Sequence, residues 1–274
     1  MKVREVTCKS ILTKSGISDY SLNPYFGCQH SCVYCYARYL LKYRPHEEEW
    51  GEFVDVKVNA PRVLQKEVLR RKPGGVFISS ACDAYQPIEE EIELTRRLIW
   101  ILSETDFQIR ILTKSALVRR DFDLLSRAKR RAAVGVTVTT MDERLRKLIE
   151  PNASPSKLRI EAIEEAKSLG MTAWAMVGPL MPFLTDTIEN IQEVFEELKR
   201  AGVDYVYVDK LNKRGGVWES VLRFLSSHRP ALIPAYKLYF TDSAFQAEYL
   251  EGLRERVMAA SRRAGLEGLI RPAF

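Results

Sequence analysis

Nothing in this chain is long and apolar enough to cross a bilayer. The longest apolar stretch, 171–184, is interrupted by Gly178, Pro179 and Pro182 and is too short to span one. No charged start, apolar run and small-residue cleavage site marks a secretory signal, so the expected compartment is reducing and the expected location cytoplasmic. Linkers, low-complexity tracts and sequence repeats are missing too, and 1–274 reads as a single domain. Five cysteines, an odd number with Cys8 and Cys82 standing alone, argue against a disulfide framework.

What is present suffices for one large α/β domain: 274 residues, 46% of them hydrophobic. Strand and helix signals alternate with short connections, which predicts a parallel sheet wrapped by helices. A first strand is expected within 20–26, leading into a cysteine-bearing loop at 24–38 and a helix at about 33–43. Segment 47–58 is acidic, then extended, and reads as an excursion. Asn59 is expected to cap a helix that tolerates Pro61 in its first turn. Strand two falls at 76–81, and Pro87 starts a helix with Glu89, Glu90 and Glu91 on its N-terminal dipole.

Four more units follow. Strand 108–113 precedes helix 121–129, and strand 133–139 precedes helices at 142–149 and 157–169. Strand 172–177 leads to helix 186–200, where Asp186 and Glu189 form a capping-box-like pair. Strand 205–208 leads to a helix near 218–224, and a helical extension at about 243–274 contains one long amphipathic helix, 243–264. Six units predict an α/β fold, a partial, open (β/α)6 TIM-like barrel with a C-terminal helix. Chemistry in such barrels gathers at the C-terminal ends of the strands, the face on which the cysteine loop falls.

Three cysteines in eight residues, Cys28, Cys32 and Cys35, lie in Asn23-Pro-Tyr-Phe-Gly-Cys-Gln-His-Ser-Cys-Val-Tyr-Cys-Tyr-Ala-Arg38. Three thiolates on one tight loop can hold three corners of a 4Fe–4S cube. No fourth cysteine follows at ligand spacing, so one iron is left open to another molecule. Zinc is the competing reading, with His30 or His46 as fourth ligand, although His30 lies between two of the cysteines, where simultaneous ligation is awkward.

The Cys-x3-Cys-x2-Cys spacing, with Tyr34 before the last cysteine, resembles the signature of radical S-adenosylmethionine (SAM) enzymes. Thr13-Lys-Ser-Gly-Ile-Ser-Asp-Tyr20, Asp83-Ala-Tyr-Gln-Pro87, Leu112-Thr-Lys-Ser115, Val138-Thr-Thr-Met-Asp-Glu143 and Glu150-Pro151 extend the resemblance. Together they are similar to the DNA-photolyase-like branch, to which spore photoproduct lyase belongs. The resemblance implies that Cys28, Cys32 and Cys35 hold the cluster and that SAM chelates the open iron. It further implies that Tyr34 packs against the adenine with Tyr36 nearby, and that Lys114 meets the SAM carboxylate. Residues 81–83, including the Asp83 carboxylate, would meet the SAM amino group. Thr137 and Thr139, alternating on strand four, would hydrogen-bond the ribose or methionine part. Cys82 would donate a hydrogen atom to a product radical, its alternative being a small buried residue.

The implied chemistry is one-electron cleavage of SAM to a 5′-deoxyadenosyl radical that abstracts hydrogen from a substrate. Its electron would come from a donor such as a ferredoxin or flavodoxin. The favoured substrate is a nucleic-acid base, as in repair of a DNA photolesion or base modification. The rivals are a peptide or small metabolite and, from another class, a non-catalytic zinc-binding module. The net charge of +6 points towards nucleic acid, and 107–131 holds eight basic residues against two acidic. Position weakens that signal. Lys114, Arg119 and Arg120 should lie on the active face, whereas Arg127, Lys129, Arg130 and Arg131 should lie at the opposite end. No interleaving of aromatic and basic residues stands out.

Overall fold

The structure is a computed structural model that describes residues 1–128 and 132–274. Its first five strands are β1 (Lys2–Val6), β2 (Thr13–Lys14), β3 (Tyr20–Leu22), β4 (Tyr25–Phe26) and β5 (Phe53–Lys57). Then come α1 (Ala60–Val68), β6 (Gly75–Ile78), α2 (Glu89–Ile92), α3 (Leu94–Ser103), β7 (Gln108–Thr113) and α4 (Phe122–Leu125). The second half holds β8 (Ala133–Thr137), α5 (Glu143–Ile149), α6 (Ser156–Ser168), β9 (Thr172–Leu180), α7 (Ile188–Arg200) and β10 (Tyr205–Lys210). It ends with α8 (Val217–His228), α9 (Ile233–Thr241), α10 (Ser243–Ala264) and β11 (Ile270–Pro272).

One sheet runs in the order β11-β10-β9-β8-β7-β6-β3-β2. From β3 to β11 every neighbour is parallel, and β2 lies antiparallel on β3. The two end strands do not pair, so the barrel is open, and its six middle strands are the six expected from the sequence. Alternation decides what each strand shows to each side. Ile109 and Ile111, Val134 and Val136, Ala173 and Ala175, and Val206 and Val208 are fully buried. Helices α3 and α6 pack on β7, β8 and β9. The intervening residues, among them Phe77, Arg110, Leu112, Trp174, Met176 and Tyr207, line a cavity on the concave side. Gly135 pairs with Trp174 across β8 and β9, and a Cβ at 135 would lie 2.3 Å from the indole. Glycine is what lets the ring lie against the strand.

Several local expectations need correction. The first strand splits at Asn23-Pro24: β3 joins the barrel, while β4 pairs antiparallel with β5. Segment 47–58 is therefore no mere excursion, because β5 also pairs parallel with β1 to form a second, three-stranded sheet. The helix after the cysteines is a 3-10 helix, Tyr36–Lys42. Asn59 holds the N-cap position of α1 as expected, but its side chain makes no capping bond; the amide instead bonds both backbone groups of Cys8 at 2.8 and 2.9 Å. Glu89 lies in the first turn of α2 but is buried, and its carboxylate accepts from the N–H groups of Thr95 and Arg96 at the start of α3. Thr187 caps α7, whereas Asp186 binds Phe183 N–H and Arg256. The expected helix 121–129 is confined to Phe122–Leu125 among the described residues, and Lys129, Arg130 and Arg131 lie outside them. Strand β6 stops at Ile78, where Ser79 turns left-handed (φ 74°), so Cys82 sits on the loop beyond the strand.

Candidate active site

The cysteine loop is shaped by two residues with positive φ, Gly27 (87°) and Ser31 (51°). At Gly27 a Cβ would come within 2.3 Å of the Phe53 carbonyl, so only glycine lets the loop rest on β5. Ser31 N–H donates to the Cys28 carbonyl, Cys35 N–H to the Cys32 carbonyl, and Val33 N–H to Ile149. All three thiols are free, Cys28 and Cys32 buried and Cys35 half-buried. Burial pushes Cys28 well up, with Asp83 and the two other cysteines adding to it. Burial likewise raises Cys32 to about 12, although Lys114 opposes the rise. A bound metal would favour the thiolate form at Cys28 and Cys32 against this burial.

Behind the loop lies a buried polar network. Arg159 and Glu150, both fully enclosed, form an ion pair at 2.6 Å. Tyr34 donates its hydroxyl to Glu150, and Thr139 donates to the same oxygen at 3.2 Å. The Lys114 ammonium stands 5.7 Å from the centre of the Tyr34 ring. Burial lowers the Lys114 pKa, but Cys32, Glu150, Asp83 and Cys35 outweigh it and leave the group above its ordinary value. Asp83 is fully engaged: it accepts from Tyr85 N–H, the Thr113 hydroxyl and Lys114 N–H at 2.7–2.9 Å, and faces His30 at 3.3 Å. Burial raises its pKa, yet His30 and these donors hold the carboxyl well below the usual range.

A cavity of about 780 Å³ opens over this network. Cys28, Cys32, Cys35, Tyr34, Tyr36, Cys82, Asp83, Lys114 and Thr137 all line it. Thr139 does not: β8 ends at Thr137, the alternation stops there, and Thr139 turns to Glu150 instead. The Cys82 thiol donates to the Tyr25 carbonyl at 2.8 Å, and burial raises its pKa to about 12. Tyr36 donates to the Ser80 carbonyl. His46 is committed elsewhere, bonding Asp55 at 3.1 Å and stacking on Phe53. Among the described residues no three His, Cys, Asp or Glu groups converge on a point that could hold a single ion.

Sequence reasoning missed other residues of the cavity lining, namely Arg110, Trp174, Met176, Tyr207, Asp209 and Arg214. One signal was available, a charged Arg110 between Ile109 and Ile111 within a strand. The aromatic–basic interleaving was also overlooked in Tyr36-Ala-Arg-Tyr39-Leu-Leu-Lys-Tyr43-Arg44. Also in the lining, the Arg214 guanidinium lies 5.6 Å from the Tyr36 ring and 4.7 Å from that of Tyr39. The basic residues singled out earlier are less free. Arg119 pairs with Glu161 and Glu165, and Arg120 with Glu89 and Asp121.

Comparison with known proteins places this geometry. The family model described as "Radical SAM superfamily" matches residues 22–198. Uncharacterized protein MJ0683 of Methanocaldococcus jannaschii is 31% identical over 234 residues, covering 85% of this chain and 84% of that protein. Uncharacterized protein Rv2578c of Mycobacterium tuberculosis is 31% identical over 283 residues, covering 98% and 83%. Among solved structures, spore photoproduct lyase complexed with dinucleoside spore photoproduct superposes with a TM-score of 0.73 at 15% identity, covering 99% of this chain and 82% of that one.

Proposed function

Because the chain belongs to the radical SAM superfamily, with a 4Fe–4S cluster and SAM as its cofactors, we propose that it is an enzyme abstracting hydrogen from a nucleic-acid base, in photolesion repair or base modification. One observation carries the reading: three free cysteines, Lys114 and Cys82 share a single cavity at the C-terminal ends of the strands. The donor set fits the cluster. Three thiols on one loop match the three protein corners of a cube, whereas with His46 bound to Asp55 a tetrahedral zinc ion is left one protein ligand short.

When bound, the reduced cluster and SAM supply the 5′-deoxyadenosyl radical. Cys28, Cys32 and Cys35 would hold three irons. Lys114, kept cationic by its neighbours, would receive the SAM carboxylate. The amino group would fall to backbone carbonyls of 81–83, since the Asp83 carboxylate is already engaged by Tyr85, Thr113 and Lys114. Tyr34, fixed by Glu150, and Tyr36, fixed by Ser80, would flank the adenosine, with Thr137 below. Cys82, enclosed and kept as a protonated thiol, would give its hydrogen atom to the substrate radical, C–H forming as S–H breaks. The thiyl radical left behind would be restored by one electron from the ferredoxin or flavodoxin and a proton. Arg214 over Tyr36 and Tyr39 favours nucleic acid, because bases stack on aromatic rings and a guanidinium attracts phosphate. Reduction would come from a ferredoxin or flavodoxin.

The test is anaerobic reconstitution followed by dithionite and SAM. Release of 5′-deoxyadenosine should rise when damaged or modified oligonucleotide is added, and binding should weaken steeply with salt. No stimulation and no salt-dependent binding by any DNA or RNA would reject the nucleic-acid substrate. The peptide or small-metabolite reading would then stand.

A further inference from the structure

The cavity lined by the cysteines is also lined by a cation that meets no carboxylate among the described residues. We propose that Arg110 forms an anion site on the cavity wall and receives a carboxylate or phosphate group of the substrate. Arg110 lies in the middle of β7, flanked by the fully buried Ile109 and Ile111, and lines the cavity. Elsewhere in the fold several guanidinium groups meet carboxylates, as Arg159 meets Glu150, Arg146 meets Glu143 and Arg120 meets Glu89, while Arg38 bonds the Trp50 and Cys32 carbonyls. Among the described residues no carboxylate lies within ion-pair distance of Arg110. Its partners are the phenols of Tyr205, which accepts at 3.1 Å, and Tyr207, together with the face of Trp174, 5.5 Å away. The Arg110 Nε is closed to solvent and unbonded, and so is the Nε1 of the neighbouring Trp174.

A half-buried guanidinium with no carboxylate beside it is best satisfied by a negatively charged acceptor supplied from the cavity it lines. The surroundings reinforce that sign. Arg271 stands 4.6 Å from the Tyr205 ring and 6.0 Å from that of Tyr207. Burial pushes the Tyr207 phenol up, yet Arg110 and Arg271 together draw it below its ordinary value. Of the two acids lining the cavity, Asp83 is occupied by His30, Thr113 and Lys114. Asp209, two residues beyond Tyr207 on β10, accepts from Lys210 N–H. The guanidinium fork suits carboxylate and phosphate alike. A nucleotide and a small carboxylic acid could both provide the group. The proposal rests on the cavity being the substrate site of a radical SAM enzyme.

The experiment uses the anaerobically reconstituted protein with SAM and without reductant, so that nothing turns over. Calorimetric titration compares thymidine monophosphate with thymidine, and benzoate with benzamide. In at least one pair the anion should bind about tenfold or more tighter than its neutral twin. Arg110→Gln should abolish that preference while leaving SAM affinity unchanged, and Arg110→Lys should keep part of it. A preference confined to the phosphate pair identifies a nucleotide, and one confined to the carboxylate pair identifies an organic acid. Equal or absent binding of both twins in wild type, or a preference that survives Arg110→Gln, would overturn the proposal. SAM affinity is scored separately: if wild type fails to bind SAM, the cofactor reading falls, and the anion preference is still measured without SAM. The wild-type comparison needs no variant, so it stands even if Arg110→Gln does not fold.

Discussion

Tyr34 reaches across 116 residues of sequence to place its hydroxyl on Glu150. With that bond, and with Val33 N–H donating to the Ile149 carbonyl at 2.9 Å, the cysteine loop is fastened to the end of α5. Glu150 is in turn held by Arg159 from α6. The loop that would carry the cluster is thus fixed from behind by a buried charge network, and the cavity-facing side of Tyr34 is left under Lys114.

Removing the network should be costly. Glu150→Gln leaves the Arg159 charge buried and unpaired, which costs about 3–5 kcal/mol. The pH dependence follows from the folded state. Burial raises the Glu150 pKa, but Arg159, Lys114 and Tyr34 outweigh it and leave the carboxyl below its ordinary value. Its stabilisation is therefore fully present above the unfolded pKa of about 4.3 and fades as pH falls through the lower folded value. In urea titrations the gap between wild type and variant should be widest near neutrality and shrink in acid.

Cys28→Ala, Cys32→Ala and Cys35→Ala should each lose the brown colour and most of the bound iron after reconstitution. Cys8→Ala should keep both, because Cys8 does not line the cavity and is engaged through its backbone with Asn59. A full iron complement in Cys32→Ala would refute the ligand assignment.

Lys114→Ala should weaken SAM binding by about 1.5–3 kcal/mol, roughly 10- to 150-fold, through loss of one charge-assisted contact. Equilibrium binding without reductant measures it, and an unchanged affinity would return Lys114 to a structural role beside Tyr34.

Cys82→Ala should still produce 5′-deoxyadenosine and still take hydrogen from the substrate, while the end product changes because its radical is not quenched. Mass spectrometry of anaerobic reactions separates the cases. Normal products at normal turnover would leave Cys82 as a cavity wall bonded to the Tyr25 carbonyl.

Gly135→Ala forces a methyl to within 2.3 Å of the Trp174 ring, whose own place is fixed by stacking on Tyr205. Overpacking of this kind costs about 1–3 kcal/mol, so the melting temperature should drop by several degrees. Gly170→Ala serves as a comparison at a site with no atom near the added carbon but with a positive φ of 72°, so its loss reports backbone strain alone.

Features set by near neighbours were legible in the chain. The cysteine spacing, the six strands in order and the span of α10 all belong to that group. The ends of α10 are set locally, by Asp242 capping Ala244 and Phe245 and by Gly265 in the left-handed region. A run of alternating or helical periodicity and a cap reside within a few consecutive residues, so the sequence displays them directly. Where a competing partner came from a distance, local reading failed. Asn59 holds the N-cap position of α1 but spends its side chain on Cys8, and Asp186 looked like a cap but belongs to Arg256.

The sequence by itself determined that three thiols would share one loop and that this loop would follow the first strand of an open parallel barrel. Only the tertiary structure decided which side chains face those thiols. Sheet register sets Gly135 beside Trp174, ends β8 before Thr139, and leaves Arg110 within the cavity without a carboxylate. Those outcomes depend on close packing and on pairing between strands tens of residues apart. A buried charge carries no mark in the sequence of whether its partner is present, because the partner can come from any strand that the register brings opposite.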